Sequence, residues 1–511
     1  MSRVFPPSLG WIPVGIALAA LTVAGIVEAA PQYGTRVVGV TAQPGSGGAA
    51  APDGGPAQGS GGQGTAGHTT VTAGTAGSAG AGGARGAAAG SGTGGAISCA
   101  GGHNGGATAP GVSATNIHIA STIVTTGVGA GFLGEAVNGM NAAINEANSS
   151  GGVCGRSITL DTINTGWDAT TGNQDIGNYV ASGQVFALVG EPDSEGLKGA
   201  IDSGTIDRGG IPVVGSDGML ADQYDRSPWV FPVAASTVTN MHILARYAVS
   251  TLHASSFGIV YDTAYKFGAE GAAAFDQEIH RLTGKDISGY SPGASSCGGA
   301  YCGISSQNQS YSSDISAFDS ACNPCDVVVL LLEPGPAETW MKGEEPSGGS
   351  WYKHLFGGEP LFDDQFASTC GSDCADMTVW TGYHPAIQPF DGEPGAQRYE
   401  SSLRSVCPQG CDPQNEFTEG AYIGTKLFIE ACRRVNAAGR PLTRDNLRAE
   451  LQGSPFDFGL SANPLHFGGL PHLANLSMAA FSDNAQGSFN GWNYLQTGFI
   501  ADPAPGQDLG G

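Results

Sequence analysis

The chain has 511 residues, a net charge of −24 and 11 cysteines. The negative charge argues against nucleic acids and anionic membranes as partners, because both are negatively charged themselves. Roughly 400 residues follow Cys99, which is too many for one small core, so two domains are expected.

Residues 1–30 are predicted to be an export signal or a membrane anchor. The apolar stretch from Trp11 to Val27 is long for a signal peptide and short for a spanning helix, so both alternatives stay open. Either one exports the rest of the chain. Residues 31–98 consist largely of small residues and cannot bury enough apolar surface to fold. They are predicted to form a disordered linker.

Ten of the cysteines are predicted to form disulfides, because close cysteine pairs in an exported chain are usually oxidised. Cys322 and Cys325 would also fit a redox or zinc site, although a redox pair normally follows a strand and this pair precedes one. Cys432 lies on an apolar helix face and is expected to be the free thiol. The candidate pairs are Cys297–Cys302, Cys322–Cys325, Cys370–Cys374 and Cys407–Cys411, with Cys99 and Cys154 as the remaining pair.

Strands and helices alternate in the first half of the folded region. Predicted strands cover 116–124, 156–164, 185–189 and 211–214, and predicted helices cover about 136–147, 171–182 and 197–206. Strands with apolar residues on both faces are typical of a parallel sheet covered by helices on both sides. An extended segment at 229–234 is predicted to lead out of this sheet.

The second half repeats the alternation of strands and helices. A helix is predicted to begin at a cap formed by Thr239 or Asn240. The pattern then predicts strands at 256–261, 326–332 and 377–380, helices at about 269–282, 314–322, 417–435 and up to 451, and two strands within 477–500. The whole chain is therefore predicted to be an α/β protein.

Two polar loops follow neighbouring predicted strands in the first half. Residues 191–195 come after the strand at 185–189, and residues 215–218 come after the strand at 211–214. Ligands of open α/β sheets bind beyond the carboxyl ends of the strands. We therefore expect both loops to lie on one rim, beside a ligand site.

Six segments occur in the order that is typical of one family. They are GVSATNIHIASTIVTTG, NAAINEANSSGGVCGRSITL, FALVG with GGIPVVG, SSFGIVYDTAYKFGAEGAAAF, SSDISAFDSACNPCDVVVLLL and TEGAYIGTKLFIEACRRVNAAGRPLTRDNLRAEL. Together they resemble the type I periplasmic binding proteins, and within these the branched-chain amino-acid (Leu/Ile/Val) binding proteins of ABC transporters. The resemblance covers about residues 111–498.

The resemblance implies two Rossmann-like lobes joined by a three-strand hinge, with the ligand cleft between the lobes. Residues 111–234 with 414–453 would form lobe 1, and residues 235–413 with 475–500 would form lobe 2. Such lobes close on a ligand by a hinge motion. The closed form is then presented to a permease in the membrane.

The resemblance also implies which residues bind the ligand. The positions fall on loops that follow strands, and hydroxyl, amide and aromatic groups dominate them in the family. The alternative role for Ser194 is to cap the helix that follows it. The candidates are Phe132, Trp167, Glu191, Asp193, Ser194, Ser216, Asp217, Gly218, Tyr265, Phe267, Glu333 and Tyr383.

One departure from the family bears on the ligand. Glu191, Asp193 and Glu195 stand in a loop where amino-acid binders usually have small hydroxyl residues. Three carboxylates there would repel a ligand carboxylate unless they turn away or bind a cation. A neutral, cationic or amide-like ligand is therefore considered together with an amino acid.

The function predicted from these features is that of an exported, monomeric solute-binding protein of an ABC importer. Its work is reversible capture, so no catalytic residues, cofactor or metal are expected, and neither a GxSxG elbow nor an HExxH pair is present. The alternative is a surface-displayed sensory or regulatory domain of the same fold. An enzyme and a structural cell-wall protein are the weaker alternatives.

Overall fold

Two α/β lobes make up the part of the chain that the structure, a computed structural model, describes. Described are residues 97–291, 294, 296–344, 351–408, 410–484 and 491–509. The predicted export segment at 1–30 and all but the end of the predicted linker at 31–98 lie outside these residues.

Lobe 1 is built on a parallel sheet of five strands in the order β2-β1-β3-β4-β5. The strands are β1 (Asn116–Ile123), β2 (Ser157–Asn164), β3 (Leu188–Val189), β4 (Val213–Ser216) and β5 (Val230–Pro232). The helices that follow them are α1 (Ala130–Leu133), α2 (Ala136–Ser149), α3 (Ala169–Ser182), α4 (Ser194–Asp202), α5 (Thr205–Gly209) and α6 (Asp222–Asp225). This confirms the parallel sheet that the apolar runs predict. The segment predicted to be an extended exit is itself the edge strand β5.

Lobe 2 is built on a second sheet, in the order β12-β11-β10-β9-β8-β6-β7 with β13 paired to β11. Its strands are β6 (Phe257–Asp262), β7 (Tyr301–Ile304), β8 (Cys325–Leu331), β9 (Tyr352–Gly357), β10 (Thr378–Thr381), β11 (Ser477–Asp483), β12 (Trp492–Tyr494) and β13 (Ile500–Ala501). Strands β6 to β10 are parallel, and β11 to β13 are antiparallel to their neighbours. The helices are α7 (Thr237–Ser250), α8 (Lys266–Thr283), α9 (Ser312–Ala321), α10 (Pro334–Glu344) and α11 (Asp364–Cys370).

Three further helices lie after strand β10: α12 (Pro394–Val406), α13 (Glu416–Ala437) and α14 (Arg444–Gly453). Helix α12 packs on lobe 1, where Tyr399 contacts Tyr422 with ring centroids 5.1 Å apart and Ser402 donates a hydrogen bond to Glu146 of α2. The chain therefore returns to lobe 1 before residue 394, earlier than the boundary at 413–414 that the resemblance implies. The proline and glycine that open α12 conceal it in the sequence.

Helix α13 approaches the end of strand β4 closely. Gly215 has φ +75°, and a Cβ on it would lie 2.0 Å from the Cα of Gly424 in α13. Only glycine fits both the conformation and the contact. This contact brings the loop after β4 against the first turns of α13.

The chain passes between the lobes three times, at about 233–236, 382–393 and 454–476. Asn475 in the third passage donates from its side-chain amide to the carbonyls of Val233 and Gly382, over 3.3 Å and 3.2 Å. All three passages therefore meet at one side chain. Their pairing consists of isolated bridges, Tyr383 with Ser461 and Phe456 with Leu465.

The structure tests the predicted cap of α7 and the predicted state of the cysteines. The cap of α7 is Ser236, whose hydroxyl accepts from the amide of Thr239, so the predicted caps Thr239 and Asn240 are wrong by one turn. The five disulfides are present as Cys99–Cys154, Cys297–Cys302, Cys322–Cys325, Cys370–Cys374 and Cys407–Cys411. Cys432 is the buried free thiol among the described residues, as predicted.

Candidate ligand-binding cleft

A small cavity lies between the lobes at the carboxyl ends of their strands. Its volume is about 10 Å³, which is about the room for one water molecule. Both lobes line it, with Phe132, Leu133, Trp167, Pro192, Ser194, Gly218, Met219 and Phe417 from lobe 1 and Phe267 and Pro360 from lobe 2. The structure thus brings five of the predicted residues, Phe132, Trp167, Ser194, Gly218 and Phe267, to one cavity.

Aromatic rings form most of the cavity wall. Trp167 meets Phe132 edge to face at 5.9 Å and lies parallel to Phe267 at 6.0 Å, measured between ring centroids. Phe132 in turn contacts Phe417 at 5.4 Å. Tyr265 stacks on Trp167 from lobe 2 at 3.9 Å and forms the outer side of the cleft. Rings at these separations are attractive pairs and also good surfaces for a flat or cationic ligand.

Two of the lining residues have left-handed backbones. Trp167 has φ +65° and Met219 has φ +63°. This conformation is uncommon for large side chains and costs about 1 kcal/mol per residue. Such strain is often found at functional sites, because packing of the site holds it in place.

The loop after β3 brings Pro192 and Ser194 to the cavity. The Ser194 hydroxyl accepts from the indole Nε1 of Trp167 over 2.8 Å. Asp193 is the N-cap of α4: its Oδ1 accepts from the amide of Gly196, and its Oδ2 accepts from the hydroxyl of Thr165. The helix cap is therefore Asp193 and not Ser194. Burial raises the pKa of Asp193 to about 6.

Glu191 turns into lobe 1, away from the lining residues. Both of its carboxyl oxygens accept from the amide of Thr122 over 3.0 Å, and the Thr122 hydroxyl also donates to it. Its side chain is fully buried, and this burial raises its pKa to about 8 against the effect of those hydrogen bonds. The structure does not place Glu191 at the cavity.

Hydrogen bonds across the cleft join the rims of the two lobes. The amide of Lys266 donates to Glu195 over 2.8 Å, and the hydroxyl of Tyr383 donates to Asp217 over 2.7 Å. The side-chain amide of Asn415 donates to Asp363 over 2.8 Å. Glu195, the third carboxylate of the loop, therefore binds the opposite lobe. None of the three carboxylates of this loop lines the cavity.

Four buried carboxyl groups lie together at the lobe interface. We call Asp217, Glu359, Glu416 and Glu419 the acidic cluster. Burial raises the pKa of Glu359 to about 7 and raises the other three pKa values well above the usual range. Glu359 belongs to lobe 2 and its carboxyl interacts with that of Glu416 of lobe 1, and neither carboxyl accepts a hydrogen bond from any other described residue.

The lysine closest to the rim is already neutralised. Lys266 contacts Asp222 over 2.6 Å and Glu270 over 3.2 Å. Glu270 also accepts from the amide of Ala221 over 2.8 Å, which adds another bond between the lobes. No Lys or Arg is among the described residues that line the cavity.

The other predicted residues lie outside the cavity wall. Ser216 is buried at the end of β4, and its hydroxyl has no partner among the described residues. Glu333 is buried within lobe 2 beside Asp262, where burial raises its pKa well above the usual range. Tyr383 and Asp217 belong to the lobe interface through their mutual hydrogen bond.

The sequence did not predict that Leu133, Pro360 and Phe417 line the cavity, nor did it predict most of the acidic cluster. Pro360 and Glu359 follow β9, a strand whose polar residues hide it. Phe417 and Glu416 begin α13 directly after its cap, Asn415. One signal in the sequence points to Glu416 and Phe417: they begin a helix soon after the chain has crossed from one lobe to the other.

A wider pocket opens on the other side of Phe132. Its volume is about 200 Å³, and it is lined by Val128, Gly131, Phe132, Pro334, Gly335, Glu338, Asp363, Gln365, Phe366 and Thr369. Both lobes contribute to it, and Phe132 lines both spaces. The cleft therefore has an inner and an outer part.

This fold and cleft define a class of binding proteins with two lobes, and the comparisons agree. A family model described as "Periplasmic binding protein" matches residues 116–469, which is more than half of the chain. The chain belongs to this family, type I periplasmic binding proteins. No curated protein matches the chain in sequence.

Solved structures show the same fold. A fatty acid ABC transporter substrate-binding protein from Thermomonospora curvata has a TM-score of 0.64 and 15% identity, over 79% of this chain and 95% of that one. A branched-chain amino acid transporter substrate-binding protein from Streptococcus pneumoniae, solved with isoleucine, has a TM-score of 0.59 and 14% identity, over 76% and 100%. A solute-binding protein of an ABC transporter from R. palustris, solved with benzoate, has a TM-score of 0.62 and 14% identity, over 78% and 99%.

Two kinds of feature are absent from the described residues. None of their helices has the length and apolar character needed to cross a membrane. No group of three or more His, Cys, Asp or Glu side chains among them has a geometry that could hold a metal ion.

Proposed function

We propose that this protein is the extracytoplasmic solute-binding component of an ABC importer. It captures a small molecule reversibly between its lobes and presents the closed form to a membrane permease. The observation that carries this proposal is the cleft itself, because aromatic and hydroxyl side chains from both lobes meet there around one cavity. Reversible capture requires no chemical change in the ligand.

Closure by rotation of the lobes is supported by the contacts that join them. The amide of Lys266 and the side chain of Asn415 bond across the cleft, and both bonds break when the lobes part. A cavity of about 10 Å³ admits no organic ligand, so entry requires this opening. The three irregular passages that meet at Asn475 provide the pivot.

An extracytoplasmic location is supported by the family and by the disulfides. Ten of the 11 cysteines are paired. Disulfides persist in oxidising compartments and are rare in the cytosol. A permease partner is proposed from the ABC transporter proteins that the fold resembles.

The proposal is tested by ligand screening with the full-length protein and its disulfides intact. The library holds amino acids, amides, polyamines, short peptides and aromatic acids. A ligand at 100 times its Kd stabilises the native state by about 2.7 kcal/mol, which a thermal shift detects. Mass spectrometry then checks that the ligand is recovered unchanged.

Hydrogen exchange distinguishes capture in the cleft from binding elsewhere. The Lys266 amide bonds across the cleft, whereas the Thr122 amide bonds to Glu191 within lobe 1. A captured ligand should slow exchange at Lys266 and leave Thr122 unchanged. A ligand that stabilises the protein without protecting Lys266, or that is converted to a product, contradicts the proposal.

A further inference from the structure

The lobe interface holds buried carboxyl groups without a balancing cation. Glu359 of lobe 2 and Glu416 of lobe 1 are fully buried against each other, and their carboxyl oxygens accept no hydrogen bond from any other described residue. One oxygen of Asp217 is likewise unpaired. Buried charges of this kind are normally paired or neutralised. Closure of the lobes therefore requires protons or a cation at the acidic cluster.

A second, independent observation concerns an amide. The side chain of Gln223 is fully buried, and both its Oε1 and its Nε2 lack partners among the described residues. A Cβ on Gly218 would lie 2.4 Å from this Nε2 and 2.8 Å from the Cα of Ser194. Gly218 and Ser194 both line the cavity. An unpaired polar group therefore lies at the cavity wall beside Gly218, the residue that follows Asp217 of the acidic cluster.

Three members of the acidic cluster are adjacent in sequence to residues that line the cavity. Gly218 follows Asp217, and it lines the cavity. The lining residues Pro360 and Phe417 likewise follow Glu359 and Glu416 directly. Acidic groups at one end and aromatic faces along the walls form the usual combination for binding an organic ammonium group.

We propose that the ligand is an organic cation with an aromatic or bulky apolar body, which packs among Phe132, Trp167 and Phe417 while its ammonium group contacts Glu359 and Glu416. This inference rests on the proposed function and names the class of ligand for the same cleft. The unpaired side-chain amide of Gln223 lies beside the same cavity wall. A ligand carboxylate finds no positively charged side chain among the lining residues.

The test compares three probes of equal size: 2-phenylethylammonium, 2-phenylethanol and phenylacetate. Binding to the full-length protein is measured by titration calorimetry at pH 7. We expect the ammonium probe to bind at least about tenfold more tightly than the other two. The measurement is repeated in two buffers of different ionisation enthalpy. Binding of the ammonium probe should release protons, because the acidic cluster ionises beside it, with Tyr224, Tyr383 and Tyr399 as its titratable neighbours.

The variants Glu359→Gln and Glu416→Gln locate the effect. Each removes one carboxylate at nearly constant volume, so each should lower the preference for the ammonium probe and reduce the proton release. Glu191→Gln is the matched control, since Glu191 is equally buried but bonds to Thr122 within lobe 1. Circular dichroism and thermal unfolding check that each variant is folded.

Each outcome decides the inference separately from the proposed function. If phenylacetate, 2-phenylethanol or leucine binds as tightly as the ammonium probe and protects the Lys266 amide, the inference is wrong and the binding function stands. If none of the three probes binds, the inference is also wrong, and the wider library decides the function. An ammonium preference that Glu191→Gln removes as strongly as Glu359→Gln also contradicts it.

Discussion

The indole ring of Trp167 stacks on the phenol ring of Tyr265, with centroids 3.9 Å apart and planes inclined by 22°. Trp167 follows a strand of lobe 1, and Tyr265 follows a strand of lobe 2. The pair is therefore a contact that exists only while the lobes are closed. Its strength contributes directly to the balance between open and closed forms.

Replacing Tyr265 with Leu should favour the open form. An aromatic pair of this geometry contributes about 1 kcal/mol beyond the area that it buries. Hydrogen exchange at the Lys266 amide should become several times faster. Tyr352→Leu is the control, because Tyr352 packs on Trp351 within lobe 2 at 4.7 Å. Equal effects of both substitutions would show that the Trp167 stack does not control closure.

Replacing Tyr383 with Phe should also weaken closure. The Tyr383 hydroxyl is the donor to Asp217, and its loss leaves that buried carboxyl without any partner. An unpaired buried group of this kind costs roughly 1–3 kcal/mol. Urea unfolding and amide exchange measure the change.

Tyr399→Phe is the matched control for this variant. Tyr399 is fully buried, and its hydroxyl has no partner among the described residues. Loss of that hydroxyl should leave stability unchanged or raise it. The interpretation fails if Tyr383→Phe is the milder of the two.

Asn415→Asp separates the helix cap from the contact between lobes. The Asn415 Oδ1 accepts from the amide of Thr418 and caps α13, while its Nδ2 donates to Asp363. Aspartate keeps the cap but places a second carboxylate against Asp363. We expect the cleft to open at pH 7 and to close again as the pH falls and the pair takes up a proton. Asn415→Ser keeps a cap without the charge, so it should show no such pH dependence.

Glu191→Gln should change how stability depends on pH. The pKa of Glu191 is about 8 in the native protein and 4.5 in its usual range, so the native state holds a proton that the unfolded chain has lost. The contribution of Glu191 to the free energy of unfolding is fully present below pH 4.5 and is lost as the pH rises to about 8. At about 1.4 kcal/mol per unit, the loss is roughly 5 kcal/mol.

The side chain of glutamine does not titrate, so the variant has no such loss of stability as the pH rises. The variant should therefore gain stability relative to the wild-type protein between pH 5 and pH 8, as measured by urea unfolding at both values. Parallel pH profiles for the two proteins would show that Glu191 is ionised in the native state.

Cys432 should not react with thiol reagents in the native protein. It is buried in α13, and burial raises the pKa of its thiol, which suppresses the reactive thiolate. A colorimetric thiol assay should detect almost no thiol before denaturation and one thiol after it. Additional thiols in denaturant would show that one of the five disulfides is not formed.

The sequence was sufficient to predict the sheet of lobe 1. Its strands are short apolar runs that end at glycine or a polar loop, as at Val189 and Val214, and burial on both faces produces that pattern. Strand β9 lacks the pattern because Tyr352, Lys353 and His354 are not buried. Helices α10 and α12 begin with proline and glycine, which also occur in loops.

The part of the cleft that follows recognisable strands could also be predicted from the sequence. Phe132, Trp167 and Phe267 each follow a recognisable strand, so the rule for carboxyl ends of parallel strands places them together. The acidic cluster combines residues from a loop of lobe 1, a turn of lobe 2 and the start of α13. Their proximity depends on how the lobes meet, which local spacing does not contain. The same holds for Glu191, whose direction is set by its bonds to Thr122.

The link of Asn475 to Val233 and Gly382 has a consequence for how a membrane partner could recognise the loaded protein. All three connections meet at one side chain, so a small rotation there becomes a much larger change in the distance between the outer edges of the lobes. A partner that contacts one edge of each lobe can measure this distance without touching the ligand. Recognition then depends on spacing alone, and one transporter could accept any cargo that brings the two edges to the same separation.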